Sequence, residues 1–478
     1  MKDPIDTDAT KSGLSSPSFT SKPSVDQHGV ATLTPGIGSS SQDVLDRFHL
    51  HPDRGLERAS DSTDGAESDY DYPDGGSRAW GVVLGGFLLY FVAFGLGSNS
   101  LGVFQTYYYN ERPGGPLASQ SDISWIGSFQ VWCSFASALA SGAGLDRVGP
   151  KRIVLVGTIG FVSACMLISI AKSYWSVFLC QGLLQGLSLG LLFAPALACT
   201  SHFFNRRRGL ALGVVASGSS MGGVVWPIVL DQLLHHTDLG FGWTLRICGF
   251  VALALLLVAL SLVRTRLPPL DQGGPFLDLS AFRNPSFSFL VAGQFLIYLG
   301  LFFLYFYLPS LAALNGMPTG TIFYLASAGN GASFFGRIAA GLLGDRLGRY
   351  NVLLLSLFVS SLIVFATIPA TRLKGDSTIG PLYAIASTYG LVSGAFFALQ
   401  VATLVLICPD PKRIGTWIGM LYATLSLPGL FGPPIGAQLI MRRGFPSALA
   451  FAGTVMIAGT LLVLASRLTV QRRLWSVT

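Results

Sequence analysis

The chain has 478 residues, of which 51% are apolar, only 12% are charged and 57 are glycine. A soluble protein carries about 25% charged residues, and the glycines follow no Gly-x-y period, so soluble, disordered and collagen-like classes are excluded for most of the chain. The net charge of +7 joins two unlike regions, because residues 1–78 sum to −7 and residues 79–478 to +14. A basic chain can signal nucleic-acid binding. Here the cations sit in short clusters between apolar runs, the pattern of membrane topology, and no nucleic-acid partner is expected.

Residues 1–78 are rich in Ser, Asp, Pro and Gly and carry almost no apolar periodicity. Such a segment buries too little surface to offset its ordering entropy, which predicts a disordered, cytosolic N-terminal tail. It lacks the apolar core of a signal peptide. Ser60, Ser62 and Ser68 stand beside acidic residues and are candidate phosphate acceptors.

From Trp80 onward, apolar runs of spanning length follow one another. They are expected at 80–106, 122–144, 152–171, 176–201, 209–234, 243–263, 287–314, 320–344, 351–370, 381–407, 414–440 and 446–466. The expected domains are a six-helix bundle over 79–263, a short cytosolic linker over 264–286, a second bundle over 287–466 and a short cytosolic tail over 467–478. The six cysteines lie in or at the ends of apolar runs and form no C-x-x-C pair, so they read as packing residues and no metal site is expected.

Lys and Arg set the orientation. With the N-terminus in the cytosol, the inner connections hold sixteen basic residues, among them Arg147, Lys151, Arg152, Arg206, Arg207, Arg208, Lys412, Arg413, Arg472 and Arg473. The outer connections hold six: Arg112, Lys172, Arg372, Lys374, Arg442 and Arg443. The imbalance predicts an even number of spans with both termini inside. Two basic residues, Arg246 and Arg337, fall within helices.

The connection after the second segment contains Asp146-Arg147-Val148-Gly149, and the one after the eighth contains Asp345-Arg346-Leu347-Gly348. The two aspartates are 199 residues apart, about half the membrane region, which indicates two six-helix repeats. These loops resemble the signature loop of the major facilitator superfamily, over the whole of 79–478. The resemblance implies an all-α polytopic membrane protein of twelve transmembrane helices in two six-helix pseudo-repeats. It also implies a charge relay at a cytosolic gate, formed by Asp146, Arg147, Gly149 and Arg152 in one copy and Asp345, Arg346, Gly348 and Arg349 in the other.

A narrower resemblance begins at Asp74-Gly75-Gly76-Ser77-Arg78-Ala79-Trp80, which is similar to the motif before helix 1 of the monocarboxylate-transporter family. Gly218–Pro227, Gly242–Arg246 and Asn330–Arg337 are similar to its fungal branch. The animal lactate carriers have a lysine in helix 1 and an Asp one turn before the Arg of helix 8. Here the matching positions hold Ser98 or Asn99, and Ser333.

Arg337 is the sharpest candidate for substrate chemistry. A charge inside a helix is costly in lipid and should face a protein cavity, where Arg can grip a carboxylate or another anion through paired donors. It lies eight residues before Asp345, about 12 Å along a helix, so a place in the gate is the other reading. By the resemblance, helices 1, 4, 7 and 10 line the cavity and offer Asn99, Gln181, Gln185, Gln294, Tyr298, Tyr389 and Gln400, with interhelical bonding as the alternative. Gly218, Gly222, Gly223 and Pro227, and Gly429, Gly432, Pro433 and Pro434, are expected to permit hinging or close packing.

No Gly-x-x-x-x-Gly-Lys-Ser/Thr loop is present and no intramembrane acid and His cluster suits metal hydrolysis, so neither an ATP-driven pump nor an enzyme is expected, nor any cofactor. The expected function is secondary active transport of a small organic solute, with export of a metabolite favoured because both lactate-carrier residues are replaced. Proton-coupled uptake of a monocarboxylate-like nutrient is the alternative, and a non-transporting sensor the remote one. The expected partners are an organic, anionic solute, a proton and the lipid bilayer. The expected membrane is the plasma membrane, with the vacuolar membrane as the alternative.

Overall fold

The computed structural model describes residues 72–112, 115–267 and 277–470, all within one unit, Asp71–Thr478. Most of the expected tail, with Ser60, Ser62 and Ser68, and the cations Arg472 and Arg473 lie outside the described residues. Ten stretches are long and apolar enough to cross a membrane. The last of them, Pro411–Val470, contains two helices. One further helix of 29 residues, Thr319–Leu347, has the length but is richer in glycine and polar groups. The membrane region is therefore all-helical, with twelve spanning helices among the described residues.

The helices are α1 (Gly76–Asn110), α2 (Gln120–Val148), α3 (Pro150–Ile168), α4 (Tyr174–Ser201), α5 (Arg208–His235) and α6 (Gly240–Leu262). The second set is α7 (Pro285–Leu314), α8 (Thr319–Leu347), α9 (Arg349–Ala366), α10 (Ile379–Ile407), α11 (414–443) and α12 (445–470). α11 and α12 follow each other with almost no loop, because Gly444 takes φ 79 and turns the corner within one residue. The C-caps of α2 and α8 are Gly149 (φ 79) and Gly348 (φ 92), so the glycine of each signature loop is where a left-handed residue ends a helix.

Burial separates an inner ring from an outer one. About 72% of the apolar core of α10 and 67% of that of α5 is buried by protein, against 33% for α6 and 39% for α3 and α9. The poorly buried helices present Leu, Val, Ile and Phe outward, for example Val156, Ile159, Phe250 and Leu355. Lipid satisfies such faces. The two sets meet chiefly where α2 packs on α11 and α5 on α8.

These crossings are glycine contacts. A Cβ on Gly142 would strike the Gly415 carbonyl, and one on Gly341 would strike the backbone of Gly209 and Leu210. Without a large hydrophobic driving force between helices in lipid, such close backbone approach supplies the packing energy. α1 carries a nine-residue π-helical stretch, Phe91–Asn99, and α4 an eight-residue one, Phe178–Gln185. Mid-helix π geometry often marks functional segments.

Candidate functional site

A central cavity lies between the two sets, with about 920 Å³ of atom-free space, its open mouth included. Its walls are aromatic: Tyr90 and Phe94 of α1, Phe135 of α2, Tyr298 and Phe302 of α7, Phe397 of α10 and Tyr422 of α11. Phe135 stacks edge-on to Tyr298 at 5.8 Å and lies 5.4 Å from Tyr422. The polar groups are few: Ser98, Asn99, Ser134, Ser219, Asn330, Gln400 and Arg337. A mostly apolar cleft with a small set of placed polar groups is the usual form of an organic-ligand site.

Arg337 is 7% exposed and reaches the cavity from α8. Its Nε donates to Ser333 Oγ at 3.3 Å, and Nη1 donates to the Ala216 carbonyl at 2.5 Å and to Ser219 Oγ. Its guanidinium lies 4.8 Å from the Phe397 ring. These partners are neutral. A buried cation held by neutral acceptors keeps its charge uncompensated by protein, and a buried charge without a counter-charge costs several kcal/mol. An anionic group in the cavity would offset that cost. Ser333, where the lactate carriers have an acid, takes only one of the donors.

Of the other residues singled out in the sequence, Asn99, Tyr298 and Gln400 line the same cavity. Asn99 Nδ2 donates to the Ser219 carbonyl at 2.9 Å, and the Tyr298 hydroxyl donates to Gln400 Oε1 at 3.2 Å. The structure does not bring the remaining four to the cavity. Gln181 accepts from the Tyr108 hydroxyl, Gln185 accepts from Gln130 Nε2, and the Tyr389 hydroxyl donates to the Leu301 carbonyl, all between helices. Gln294 is fully buried, and neither end of its amide has a hydrogen-bond partner.

Tyr90, Tyr422 and Ser219 also line the cavity, and none of them is conspicuous on its own in the sequence. For α1 a signal exists: Tyr90, Phe94 and Ser98 recur every fourth residue, one helical face.

Beyond the cavity floor the two sets are locked together. The Asp146 carboxylate, at the end of α2, accepts from Thr416 N and Thr416 Oγ1, both at 2.7 Å. The Asp345 carboxylate, at the end of α8, accepts from Gly209 N and Leu210 N, both at 2.8 Å. Each carboxylate therefore crosses to the other set and caps a helix N-terminus there, α11 or α5, where the dipole favours an anion. A hydrogen bond to a charged group is worth about 1.5–3 kcal/mol, so four of them make this end a firm closure.

The two locks also differ in their neighbouring cation. Arg349 pairs with Asp345 at 3.1 Å and donates to the Asn205 carbonyl, whereas Pro150 stands at the matching place after Asp146. Arg152 and Arg346 are exposed, and Arg147 is half-buried.

The glycines and prolines of α5 and α11 have specific neighbours. Gly218 and Gly222 lie on the backbone of Phe87 and Phe91 in α1, and a Cβ on Gly223 would meet the side chains of Asn99 and Asn330. Pro227 is buried within α5. Gly429 faces Val131 and Phe135 of α2, and Gly432 faces Leu299 of α7. Pro434 follows Pro433, whose carbonyl accepts from the Tyr307 hydroxyl at 2.5 Å.

A family model described as Major Facilitator Superfamily matches residues 82–389 and 330–476. The chain belongs to the major facilitator superfamily. Its relatives are fungal transporters of that superfamily. The MFS-type transporter pynF of Aspergillus niger is 37% identical over 87% of this chain and 95% of its own. The agnestins efflux protein AgnL12 of Paecilomyces divaricatus is 37% identical over 82% and 88%, and the aspyridones efflux protein apdF of Emericella nidulans 37% over 83% and 79%. Among solved structures, the human organic anion transporter MFSD10 (TETRAN) superposes with a TM-score of 0.63 over 81% of this chain and 99% of its own. At 17% identity that likeness concerns the fold. The chain is thus an integral membrane transporter of small organic solutes.

Proposed function

We propose that this chain exports a partly aromatic metabolite carrying an anionic group, by alternating access across the plasma membrane. The observation that carries the reading is Arg337, a buried guanidinium with neutral partners at the wall of an aromatic cavity. The efflux names of two of the relatives support the direction. So does the replacement of both lactate-carrier residues, by Ser98 or Asn99 and by Ser333.

The basic residues concentrate at the Asp146 and Asp345 end, which under the positive-inside rule faces the cytosol. On that reading the lock is the cytosolic gate, and a cavity closed there is loaded or emptied from outside. Arg337 orients the anion and the rings accept the apolar body. Release of Asp146 and Asp345 from their helix N-termini alternates the access. A proton partner would be taken up at groups exposed in that step.

The test is metabolite profiling of cells with and without the protein, inside and outside, combined with flux in reconstituted vesicles. Export of an acidic aromatic metabolite is expected to fall at least tenfold in Arg337→Ala. Arg337→Lys is expected to recover only part, because an ammonium lacks the paired fork. Saturable lactate uptake driven by an inward proton gradient, and abolished by Arg337→Ala, would overturn the export reading in favour of the monocarboxylate alternative.

A further inference from the structure

The segment that leads into α1 is strapped to the loop between α4 and α5. Asp74 lies two residues before α1. Its backbone N–H donates to the Phe203 carbonyl at 3.0 Å, and its Oδ1 accepts from Asn205 N at 2.7 Å and from Arg207 N at 3.3 Å. Tyr72 lies under two guanidinium groups, Arg208 at 5.5 Å and Arg266 at 5.3 Å. The N–H groups of Gly209 and Leu210, in the first turn of α5 that follows this loop, hold Asp345, and the Asn205 carbonyl accepts from Arg349. Two carboxylates, one from each half of the molecule, therefore clasp the single stretch 205–210.

The second half does the same with different bonds. Asp278 lies in the segment that leads into α7. It is 8% exposed, and its Oδ2 accepts from Arg413 Nη1 at 3.2 Å. Arg413 is the last residue before α11, and Asp410 on the same loop caps Lys412 N at 2.9 Å. Three residues past Arg413 is Thr416, which holds Asp146. Asp74 and Asp278 are 204 residues apart, whereas the lock aspartates are 199 apart, so the two straps are not matched positions of the sequence repeat. They converge on one arrangement.

We propose that Asp74 and Asp278 are positioning residues of the gate. Each holds, within its own half, the loop whose helix N-terminus receives the lock carboxylate of the other half. Without Asp74 the N–H groups of 205 and 207 turn to water, and without Asp278 the Arg413 side chain loses its anchor; in each case the N–H site that receives the lock carboxylate loses its shape. Asp74 has φ 46, the left-handed region that favours Gly, Asn and Asp. A non-glycine residue persists there when its surroundings over-determine it, and its carboxylate bonds to 205 and 207 do so. Because Asp74 is joined through Gly75 to α1, which carries Tyr90, Phe94 and Asn99, the strap also ties the gate loop to a wall of the cavity. The proposal rests on the reading of the closed end as a gate but not on the identity of the solute.

The experiment uses the full chain in lipid vesicles without solute and reads maleimide labelling of Cys199. That thiol is fully buried near the end of α4 and lies within electrostatic reach of Asp146. Asp74→Ala and Asp278→Ala are each expected to speed labelling about fivefold, the size of losing one helix cap. Asp74→Asn and Asp278→Asn, which keep an oxygen acceptor, are expected to stay within about twofold of the parent. Asp74→Gly, which adopts the left-handed backbone freely but has no acceptor, is expected to behave like the alanine variant.

The decisive readout is a set of double-mutant cycles. Asp74→Ala should be strongly non-additive with Asp345→Ala and additive with Asp146→Ala; Asp278→Ala should show the reverse. Equal coupling in all four pairs, unchanged labelling in the alanine variants, or parent-like behaviour of Asp74→Gly would overturn the proposal. Vesicles that move no metabolite yet reproduce the labelling pattern would sink the export reading and leave the straps standing.

Discussion

Arg337 and His202 show how much a single buried group can decide. Arg337 was legible in the sequence because only two basic residues, Arg246 and Arg337, fall inside the spanning segments expected there. What could not be read there is that its other partners, the Ala216 carbonyl and the Ser219 hydroxyl, are neutral too, since these come from α5, more than a hundred residues away. His202 carried no sequence signal at all. It sits just past α4 at the closed end, 4% exposed. Burial, together with the cations of Arg266 and Arg208, pushes its imidazole down to about 4. The folded protein then binds fewer protons than the unfolded chain between pH 4 and 6.5. Stability from this group is complete above pH 6.5 and falls as the pH drops through that window. At pH 5 the loss is about 2 kcal/mol. Thermal unfolding at pH 5 and pH 7 should show this difference in the parent and a smaller one in His202→Gln. An equal difference in both would assign the pH effect elsewhere.

Polar residues illustrate the opposite limit of legibility at this scale. Gln181, Gln185 and Gln294 were conspicuous because amides are rare in apolar helices. A helix places a residue on a face, but the sequence does not say which face meets the cavity. In the structure Gln181 and Gln185 serve α1 and α2, and the cavity is walled by aromatics of which several, such as Tyr90, Phe135 and Tyr422, carried no sequence signal of their own.

At the scale of elements, the contacts that matter are where a helix from one half lies on a helix from the other. α5 crosses α8 where Gly209 and Gly213 meet Gly341 and Arg337, and α2 crosses α11 where Gly142 meets Gly415. A methyl group on Gly341 would collide with backbone, which cannot swing aside as a side chain can. Gly341→Ala is therefore expected to separate the closed end, weakening the Asp345 lock that sits one turn further along α8. In the labelling assay described for Cys199, the variant should react about tenfold faster than the parent, in line with the 1–3 kcal/mol cost of overpacking. Parent-like labelling would show that the crossing can dilate without opening the closed end. The π-helical stretch of α1 belongs to the same scale. It ends at Asn99, so the residue that contacts Ser219 sits where the helix returns to normal winding.

For the whole molecule, the locks make the two halves one closed body at one end and leave the cavity between them. The orientation of that body follows from charge. If the closed end faces the cytosol, an impermeant amine reagent applied from outside whole cells should modify Lys172 and Lys374. Lys151 and Lys412 should react only after permeabilisation. Modification of Lys151 from outside would invert the topology and, with it, the direction assigned to the gate.

Composition and periodicity by themselves determined the membrane class, the spanning segments and the two-fold repeat. These depend on apolar run length and on short-range patterns that one chain displays directly. The glycine of each signature loop was equally readable, because a helix end that needs positive φ selects it locally. Tertiary structure alone decided which faces meet. It put Asp146 on the N-terminus of α11 and Asp345 on that of α5, it drew Asp74 and Asp278 onto the adjoining loops, and it gave the cavity an aromatic wall. All of these join residues far apart in the chain, and the energy that selects them, backbone packing and capped helix ends, is earned only when the two halves close on each other.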